Sequence, residues 1–215
     1  MWAPMLPALQ ERFDVRALGL AGHFGCAALP DGTEVSASAL VDALERDLDE
    51  GGFETAHVCG NSLGGWAGLE LAKRGRARSC VALAPAGGWE AGSREEQRLP
   101  GLFKRLHRTA LWANPYREKL FLRPGVRKLA MRDVVAHGER LTPRQAADML
   151  QGSAECPIYW ELLEAVRRDG PPTDFDGIAC PTTIVWGTKD RIIPMDRYSE
   201  RIRRLVPEAD FIVLD

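Results

Sequence analysis

The sequence predicts an α/β domain whose mostly parallel sheet is flanked by helices, and three observations support this prediction. Short apolar runs without polar alternation recur along the chain, which is typical of strands covered on both faces of a parallel sheet. Segments with apolar residues at helical spacing lie between these runs. A long helical stretch over residues 89–176 separates the earlier runs from the later ones. We therefore expect a three-layer core interrupted by a helical insertion.

The core elements fall into two groups along the chain. The first group comprises the predicted strands Arg12–Leu20, Thr55–Gly60 and Ser79–Ala84 and the predicted helices Ser36–Asp49 and Gly64–Arg74. The second group comprises the predicted strands Thr182–Trp186 and Asp210–Asp215 and the predicted helix Pro194–Val206. We therefore assign residues 1–88 and 177–215 to the core and residues 89–176 to a helical cap over the sheet.

Composition and charge limit the classes of partner. The chain has 215 residues, of which 45% are hydrophobic and 27% charged, and its net charge is −2. This balance favours neither nucleic acid nor an anionic membrane as a partner. No apolar run is long enough to cross a bilayer, and residues 1–14 lack the pattern of a signal peptide. We expect a cytoplasmic protein that acts on a small molecule; its oligomeric state is not predicted.

The five cysteines do not form a recognisable site. They are Cys26, Cys59, Cys80, Cys156 and Cys180. Their number is odd, and no CxxC or metal-ligand spacing occurs among them. We expect reduced, buried thiols that pack as small apolar side chains, with Cys59 and Cys80 inside apolar runs. No metal site and no cofactor are predicted.

The strongest chemical signal is the segment from Gly60 to Gly64, which reads Gly-Asn-Ser-Leu-Gly. An apolar strand precedes this GxSxG sequence and a helix follows it, which is the setting of a nucleophile elbow. Such a turn would project the Ser62 hydroxyl outward and leave the Leu63 N–H at a helix N-terminus, where it could stabilise an oxyanion. We expect Gly60 and Gly64 to allow the close approach of strand and helix. The alternative is a glycine-rich turn with an incidental serine.

Asp190 is the candidate for the acid that orients a catalytic base. It follows the predicted strand Thr182–Trp186, at the edge of the sheet where open α/β folds place functional groups. Asp174, Asp176 and Asp196 are weaker candidates because none of them directly follows a strand. The alternative for Asp190 is a solvated loop carboxylate.

These motifs together resemble the α/β-hydrolase superfamily, and more narrowly its cap-bearing bacterial serine hydrolases. The resemblance rests on GNSLGG, on PTTIVWGTKDRIIP and on the closing DFIVL, and it covers nearly the whole chain. It implies the catalytic order serine, aspartate, histidine, with Ser62 as nucleophile and Asp190 as acid. It also implies hydrolysis of an ester or related acyl bond through an acyl-enzyme at Ser62.

Two parts of the family pattern are not found in this sequence. The family's histidine follows the strand that corresponds to Asp210–Asp215, and an earlier strand ends in a His-Gly turn that supplies a second oxyanion N–H. We therefore expect a chain that is truncated at both ends, with a gap in the sheet beside Thr55–Gly60. We do not expect His23, His57, His107 or His137 to replace the missing base. Two alternatives remain: a non-catalytic binding relative, and a C–C hydrolase or haloperoxidase-type member of the same superfamily.

Overall fold

The computed structural model describes residues 2–215 and contains a parallel sheet of four strands. The strands are β1 (Ala56–Asn61), β2 (Ala77–Leu83), β3 (Thr182–Gly187) and β4 (Asp210–Leu214). Their order in the sheet is β1-β2-β3-β4, and every neighbouring pair is parallel. The carboxyl ends of all four strands therefore lie along one edge of the sheet. The predicted α/β fold with a parallel sheet flanked by helices is confirmed.

Residues 2–215 also form nine α-helices. They are α1 (Leu6–Gln10), α2 (Ala37–Glu50), α3 (Leu63–Lys73), α4 (Arg94–Ala113), α5 (Arg117–Leu120), α6 (Pro124–Ala130), α7 (Pro143–Ala154), α8 (Tyr159–Asp169) and α9 (Met195–Leu205). Three of them, α2, α3 and α9, correspond to the helices predicted for the core. Helices α4 to α8 lie between β2 and β3, which we call the helical insertion. No helix among residues 2–215 combines the length and the apolar character needed to cross a membrane.

The main core lies between the sheet and the helices α3 and α9. Alternate strand residues point into it, among them Ala82, Ile184 and Trp186, each at most 1% exposed. Tyr198 and Ile202 of α9 are fully buried against them. Helix α2 packs against α3 in a second cluster, which the β1 residues Ala56 and Val58 also contact. One face of the sheet is therefore covered by α2, α3 and α9.

The opposite face of the sheet is more open than predicted. Because side chains alternate along a strand, His57 and Cys59 of β1 share this face, and both are exposed. Ile212 and Leu214 of β4 are 47% and 55% exposed. Within residues 2–215 the covering of this face is incomplete, so the prediction of burial on both faces holds for one face. The prediction that Cys59 is buried is wrong for the same reason.

The predicted strand Arg12–Leu20 does not form. The segment is irregular chain, and β1 has β2 as its neighbour in the described sheet. Its side chains contact both sides of the sheet: Leu20 contacts the cluster around α2, and the Arg16 guanidinium lies 5.1 Å from the centre of the Phe53 ring. The Phe13 ring, by contrast, lies 6.3 Å from the His57 ring on the more open face. A strand requires a neighbour that pairs with its N–H and C=O groups, and no ladder among residues 2–215 includes this segment.

The two ends of the helical insertion lie close together on α9. The Arg201 guanidinium donates to the carbonyl oxygens of Gly87, before the insertion, and Pro172, after it, at 2.8 and 2.5 Å. Trp89 and Phe175, at the limits of the predicted cap, are buried in the main core. Helices α4 to α8 show that residues 89–176 are mainly helical, as predicted. Their role as a cap remains a prediction.

Candidate active site

Ser62 lies at the junction of β1 and α3 in a strained backbone conformation. Its φ is 53° and its ψ −116°, a region that costs a residue other than glycine about 1–3 kcal/mol. Three backbone hydrogen bonds hold it there. The Ser62 N–H donates to the Leu83 carbonyl at 2.9 Å, and the Ser62 carbonyl accepts from the N–H groups of Trp66 and Ala86, both at 3.0 Å. The end of β2 therefore stabilises the turn at the end of β1.

The tightness of this turn explains one predicted glycine and corrects the other. A Cβ atom on Gly60 would lie 1.9 Å from the Gly64 carbonyl oxygen, so no side chain fits at Gly60. A Cβ atom on Gly64 would meet no heavy atom within 4 Å. The next residue, Gly65, is the close one, since its Cβ would lie 3.1 Å from the Pro85 Cα. The role predicted for Gly64 therefore belongs to Gly65, which the GxSxG spacing does not include.

Leu63 is the first residue of α3, and its N–H therefore has no acceptor within the helix. The helix has eleven residues, long enough for its dipole to favour a negative charge at this end. Ser62 and Leu63 are both half-buried, so neither residue is enclosed in the core. The arrangement offers a nucleophile and an oxyanion donor at adjacent positions.

Asp190 lies in the loop after β3, and its side-chain carboxyl group shapes that loop. Its Oδ1 atom accepts from the N–H groups of Ile192 and Ile193, both at 2.9 Å. Burial raises the pKa of Asp190, and the two N–H donors counteract part of that rise. The Trp186 indole N–H donates to the Ile193 carbonyl at 3.0 Å, which ties the loop to β3. Asp190 is thus half-buried, and its carboxyl group is fixed by two hydrogen bonds.

The other aspartates considered for this role differ from Asp190. Asp174 is paired with the Lys73 ammonium at 2.5 Å, and that hydrogen bond lowers the pKa of Asp174. Asp176 is exposed, and Asp196 is exposed in the first turn of α9. Asp190 is the one of the four that directly follows a strand.

The sheet order sets the separation between the two candidate groups. Ser62 follows β1 and Asp190 follows β3, with β2 between them. Neighbouring strands lie about 4.8 Å apart, so the two strand ends are separated by roughly 10 Å. No hydrogen bond within residues 2–215 joins Ser62 to Asp190. An intervening group the size of an imidazole is needed to connect a hydroxyl and a carboxylate at this separation.

Comparison with known proteins places the chain in a family. Residues 1–215 match the model of the alpha/beta hydrolase family. The chain belongs to that family. Epoxide hydrolase EphH of Mycobacterium tuberculosis is 33% identical over 173 residues, which cover 80% of this chain and 81% of that protein. The putative carbamate hydrolase RutD of Stutzerimonas stutzeri is 28% identical over 219 residues, covering 100% of this chain and 77% of that protein.

Solved structures support the fold of this alpha/beta hydrolase. The enol-lactonase from Burkholderia xenovorans superposes with a TM-score of 0.69 at 20% identity, covering 100% of this chain and 77% of that one. A meta-cleavage product hydrolase from Pseudomonas fluorescens gives a TM-score of 0.66 at 19% identity, covering 99% and 75%. At these identities the similarity concerns the fold.

The histidines of this alpha/beta hydrolase make hydrogen bonds away from Ser62 and Asp190. The ring Nδ1 atoms of His23, His57, His107 and His137 lie 3.4, 2.8, 2.9 and 3.3 Å from the Ala21 carbonyl, the Ser79 hydroxyl, the Ser153 carbonyl and the Glu139 carboxylate, respectively. His107 is 3% exposed and stacks on Tyr159 with 3.8 Å between ring centres. No hydrogen bond in the described chain joins any of them to either candidate residue.

Two contributors to the site had no signal in the sequence. Ala84, at the end of β2, has a φ of 40°, and its N–H donates to the Val185 carbonyl at 2.8 Å. This strained residue sets the direction of the turn that brings the Ala86 N–H to Ser62. The second is Arg98 of α4, which contacts the loop of Asp190. Neither residue type has a preference for such a position, so only the folded chain identifies them.

Proposed function

We propose that this alpha/beta hydrolase cleaves an ester or related acyl bond through a covalent acyl-enzyme at Ser62. The observation that carries the proposal is the backbone of Ser62, a strained residue between a strand and a helix N-terminus. The Ser62 oxygen attacks the acyl carbon, the Leu63 N–H holds the developing oxyanion, and the leaving group departs with a proton. Water then attacks the acyl-enzyme and restores the Ser62 hydroxyl.

The chemistry of a serine nucleophile supports acyl transfer over epoxide opening. Attack of a hydroxyl oxygen on an epoxide carbon would produce an ether, which water does not cleave by the same route. Attack on an ester or a carbamate produces an acyl-serine, which water does cleave. Although one relative is named an epoxide hydrolase, Ser62 therefore favours an acyl substrate of the ester or carbamate type.

Asp190 has the role of orienting the base in this proposal. The base in this proposal is an imidazole other than the four histidines among residues 2–215, because these are hydrogen-bonded to other groups. It occupies the space of roughly 10 Å between the ends of β1 and β3. The helical insertion acts as the cap over this space, which is supported by the contact of α4 with the loop of Asp190.

A second candidate function is ligand binding without catalysis. The observation that favours it is the same set of histidine contacts, which leaves Ser62 without a base among residues 2–215. The two functions differ in whether Ser62 reacts once an imidazole is available.

The test is the rate at which a fluorophosphonate probe labels the chain, with and without free imidazole in the buffer. We expect slow labelling alone and labelling at least about tenfold faster with imidazole, because loss of a triad member removes most of the rate. Ser62→Ala should abolish both rates. Ser79→Ala is the matched control, since the Ser79 hydroxyl is hydrogen-bonded to a histidine. Equal labelling of wild type and Ser62→Ala, or none with imidazole, would overturn the acyl-enzyme and favour ligand binding.

A further inference from the structure

The loop that carries Asp190 is held from the helical insertion as well as from the sheet. Arg98 lies in the second turn of α4, and its guanidinium forms two hydrogen bonds to consecutive carbonyl groups of the loop. Nη1 donates to the Ile192 carbonyl at 3.2 Å, and Nη2 donates to the Arg191 carbonyl at 3.3 Å. Nη1 also lies 3.5 Å from the Tyr198 hydroxyl. A residue from the insertion thus contacts the two residues that follow Asp190.

These contacts complement those made by Asp190 itself. The Asp190 carboxylate accepts from the N–H groups of Ile192 and Ile193, while Arg98 donates to carbonyl oxygens. The peptide groups of the loop are therefore fixed through their N–H groups on one side and through their C=O groups on the other. Because the planar guanidinium presents donors in a fixed fork, it can bind two successive carbonyls together, which a lysine ammonium does less well.

The position of Arg98 is itself well determined. Arg98 is half-buried, and no carboxylate within residues 2–215 forms an ion pair with it. The next residue, Leu99, is 6% exposed and belongs to the main core with Ile193 and Tyr198. Helix α4 is also fixed at its start, since the Ser93 hydroxyl accepts from the Glu96 N–H at 3.2 Å. The helix therefore presents the guanidinium to the loop from an anchored turn.

We infer that Arg98 is a positioning residue that holds the loop of Asp190, so that the orientation of the acid depends on docking of the helical insertion. Arg98 touches neither Ser62 nor the carboxylate, and it acts through the backbone of residues 191 and 192. The inference rests on the proposed function for its catalytic consequence, while its structural part concerns the loop alone. The insertion would then influence catalysis through the acid in addition to covering the site.

The structural part is tested by hydrogen exchange at the amides of Ile192 and Ile193. Arg98→Met should raise their exchange rates about tenfold or more, in line with the loss of hydrogen bonds from a charged donor. Arg98→Lys should give intermediate rates. Arg105→Met is the matched control, because Arg105 is an exposed arginine of the same helix, and it should leave the rates unchanged. Exchange at Ile184 in β3 should also stay unchanged, which separates local opening of the loop from global unfolding.

The catalytic part is tested by imidazole-assisted fluorophosphonate labelling of the same variants across pH. Arg98→Met should label about tenfold more slowly with an altered pH profile, and Arg98→Lys should recover part of the rate. Unchanged exchange at Ile192 and Ile193 in Arg98→Met would overturn the inference. Faster exchange with unchanged labelling and pH profile would also overturn it, because Arg98 would then hold the loop without positioning the acid. If the wild type fails to label, the proposed function fails, and the exchange rates alone decide whether Arg98 holds the loop.

Discussion

Ser62 and Ala84 are the residues other than glycine that adopt a positive φ within residues 2–215. They follow neighbouring strands, and the hydrogen bonds from Ser62 to Leu83 and from Ala86 to Ser62 connect the two turns. Each strained turn is therefore stabilised by hydrogen bonds to the other. The GxSxG pattern predicted the turn at Ser62 because glycine spacing records a close approach of backbones. It could not reveal Ala84, since alanine carries no signal for a left-handed backbone.

The sequence predicted that both Gly60 and Gly64 allow the close approach of strand and helix, and replacing each by alanine tests which of them does. Gly60→Ala should lower the free energy of unfolding by at least about 3 kcal/mol, because the new Cβ would overlap the Gly64 backbone. Gly64→Ala should leave stability within about 1 kcal/mol, with a stabilising sign, because the site is open and alanine favours helix. Urea denaturation of both variants measures this. Similar losses in the two variants would contradict the close backbone approach at Gly60.

Replacing Asp190 by asparagine should show that the acid is a source of instability at neutral pH. Burial raises the pKa of Asp190, whereas the pKa of an unfolded aspartate is about 3.9. As the pH rises between these two values, the unfolded chain loses its proton first, so stability falls. Asp190→Asn lacks this titration and keeps an oxygen for the N–H groups of Ile192 and Ile193. It should therefore be more stable than wild type at pH 7.

Urea denaturation at pH 7 and at about pH 4 or below checks this prediction. The difference between Asp190→Asn and wild type should shrink at the lower pH, where the wild-type carboxyl is protonated. If Asp190→Asn is instead the less stable protein at pH 7, the ionised carboxylate stabilises the fold and the expected sign of the effect is wrong.

At the scale of elements, the strands and helices with local signals were predicted within a few residues of their observed ends. Helix α2 begins after Ser36, whose hydroxyl accepts from the Ala39 N–H at 3.1 Å. Ser36, the first residue of the predicted helix, is therefore its N-cap. The segment Arg12–Leu20 was predicted incorrectly because its pattern describes an extended chain, while a strand also depends on a distant neighbour. The contact of α4 with the Asp190 loop was likewise unpredictable, since it joins residues more than ninety positions apart.

Helix α9 holds both ends of the insertion through Arg201, and we therefore expect Arg201 to contribute to the stability of the fold. The Arg201 side chain is 12% exposed and donates to the carbonyls of Gly87 and Pro172. Arg201→Met should lower the free energy of unfolding by about 2–4 kcal/mol, because both carbonyls lose a charged donor. Arg197→Met, an exposed arginine of the same helix, should change it by less than about 0.5 kcal/mol. Thermal or urea denaturation of the two variants measures the difference. Equal stability of Arg201→Met and Arg197→Met would show that the Arg201 contacts are dispensable.

At the scale of the whole molecule, the sheet has one closed face and one open face. The continuous apolar runs predicted a parallel sheet, because strands of such sheets are usually covered on both faces. The same character could not show which face is covered within residues 2–215, since covering depends on where the helices pack. The candidate site follows the same division: its strand-end location was predictable, and the contacts between separate strand ends were not.

The reactivity of two cysteine thiols can measure how well each face of the sheet is covered. Cys80 is 1% exposed on the closed face, and burial raises its pKa to about 12, while Cys59 is exposed on the open face. In the native protein at about pH 8.5, iodoacetamide should therefore modify Cys59 and leave Cys80 intact until denaturant is added. Partial burial of its thiol group also raises the pKa of Cys59, so its reaction should be slower than that of a free thiol. Mass spectrometry of the digested protein identifies the modified residue. Equal protection of both thiols would show that the second face is covered in solution.

Gly87 and Pro172 lie beside each other, although more than eighty residues separate them in the sequence. Because both ends of the insertion attach to the core at the same place, the length of the chain between them has little effect on the position of either end. The entropy of closing such a loop grows only slowly with its length. Helical segments of different length could therefore connect these two residues on the same sheet, provided that they keep side chains such as Trp89 and Leu99 that complete the main core.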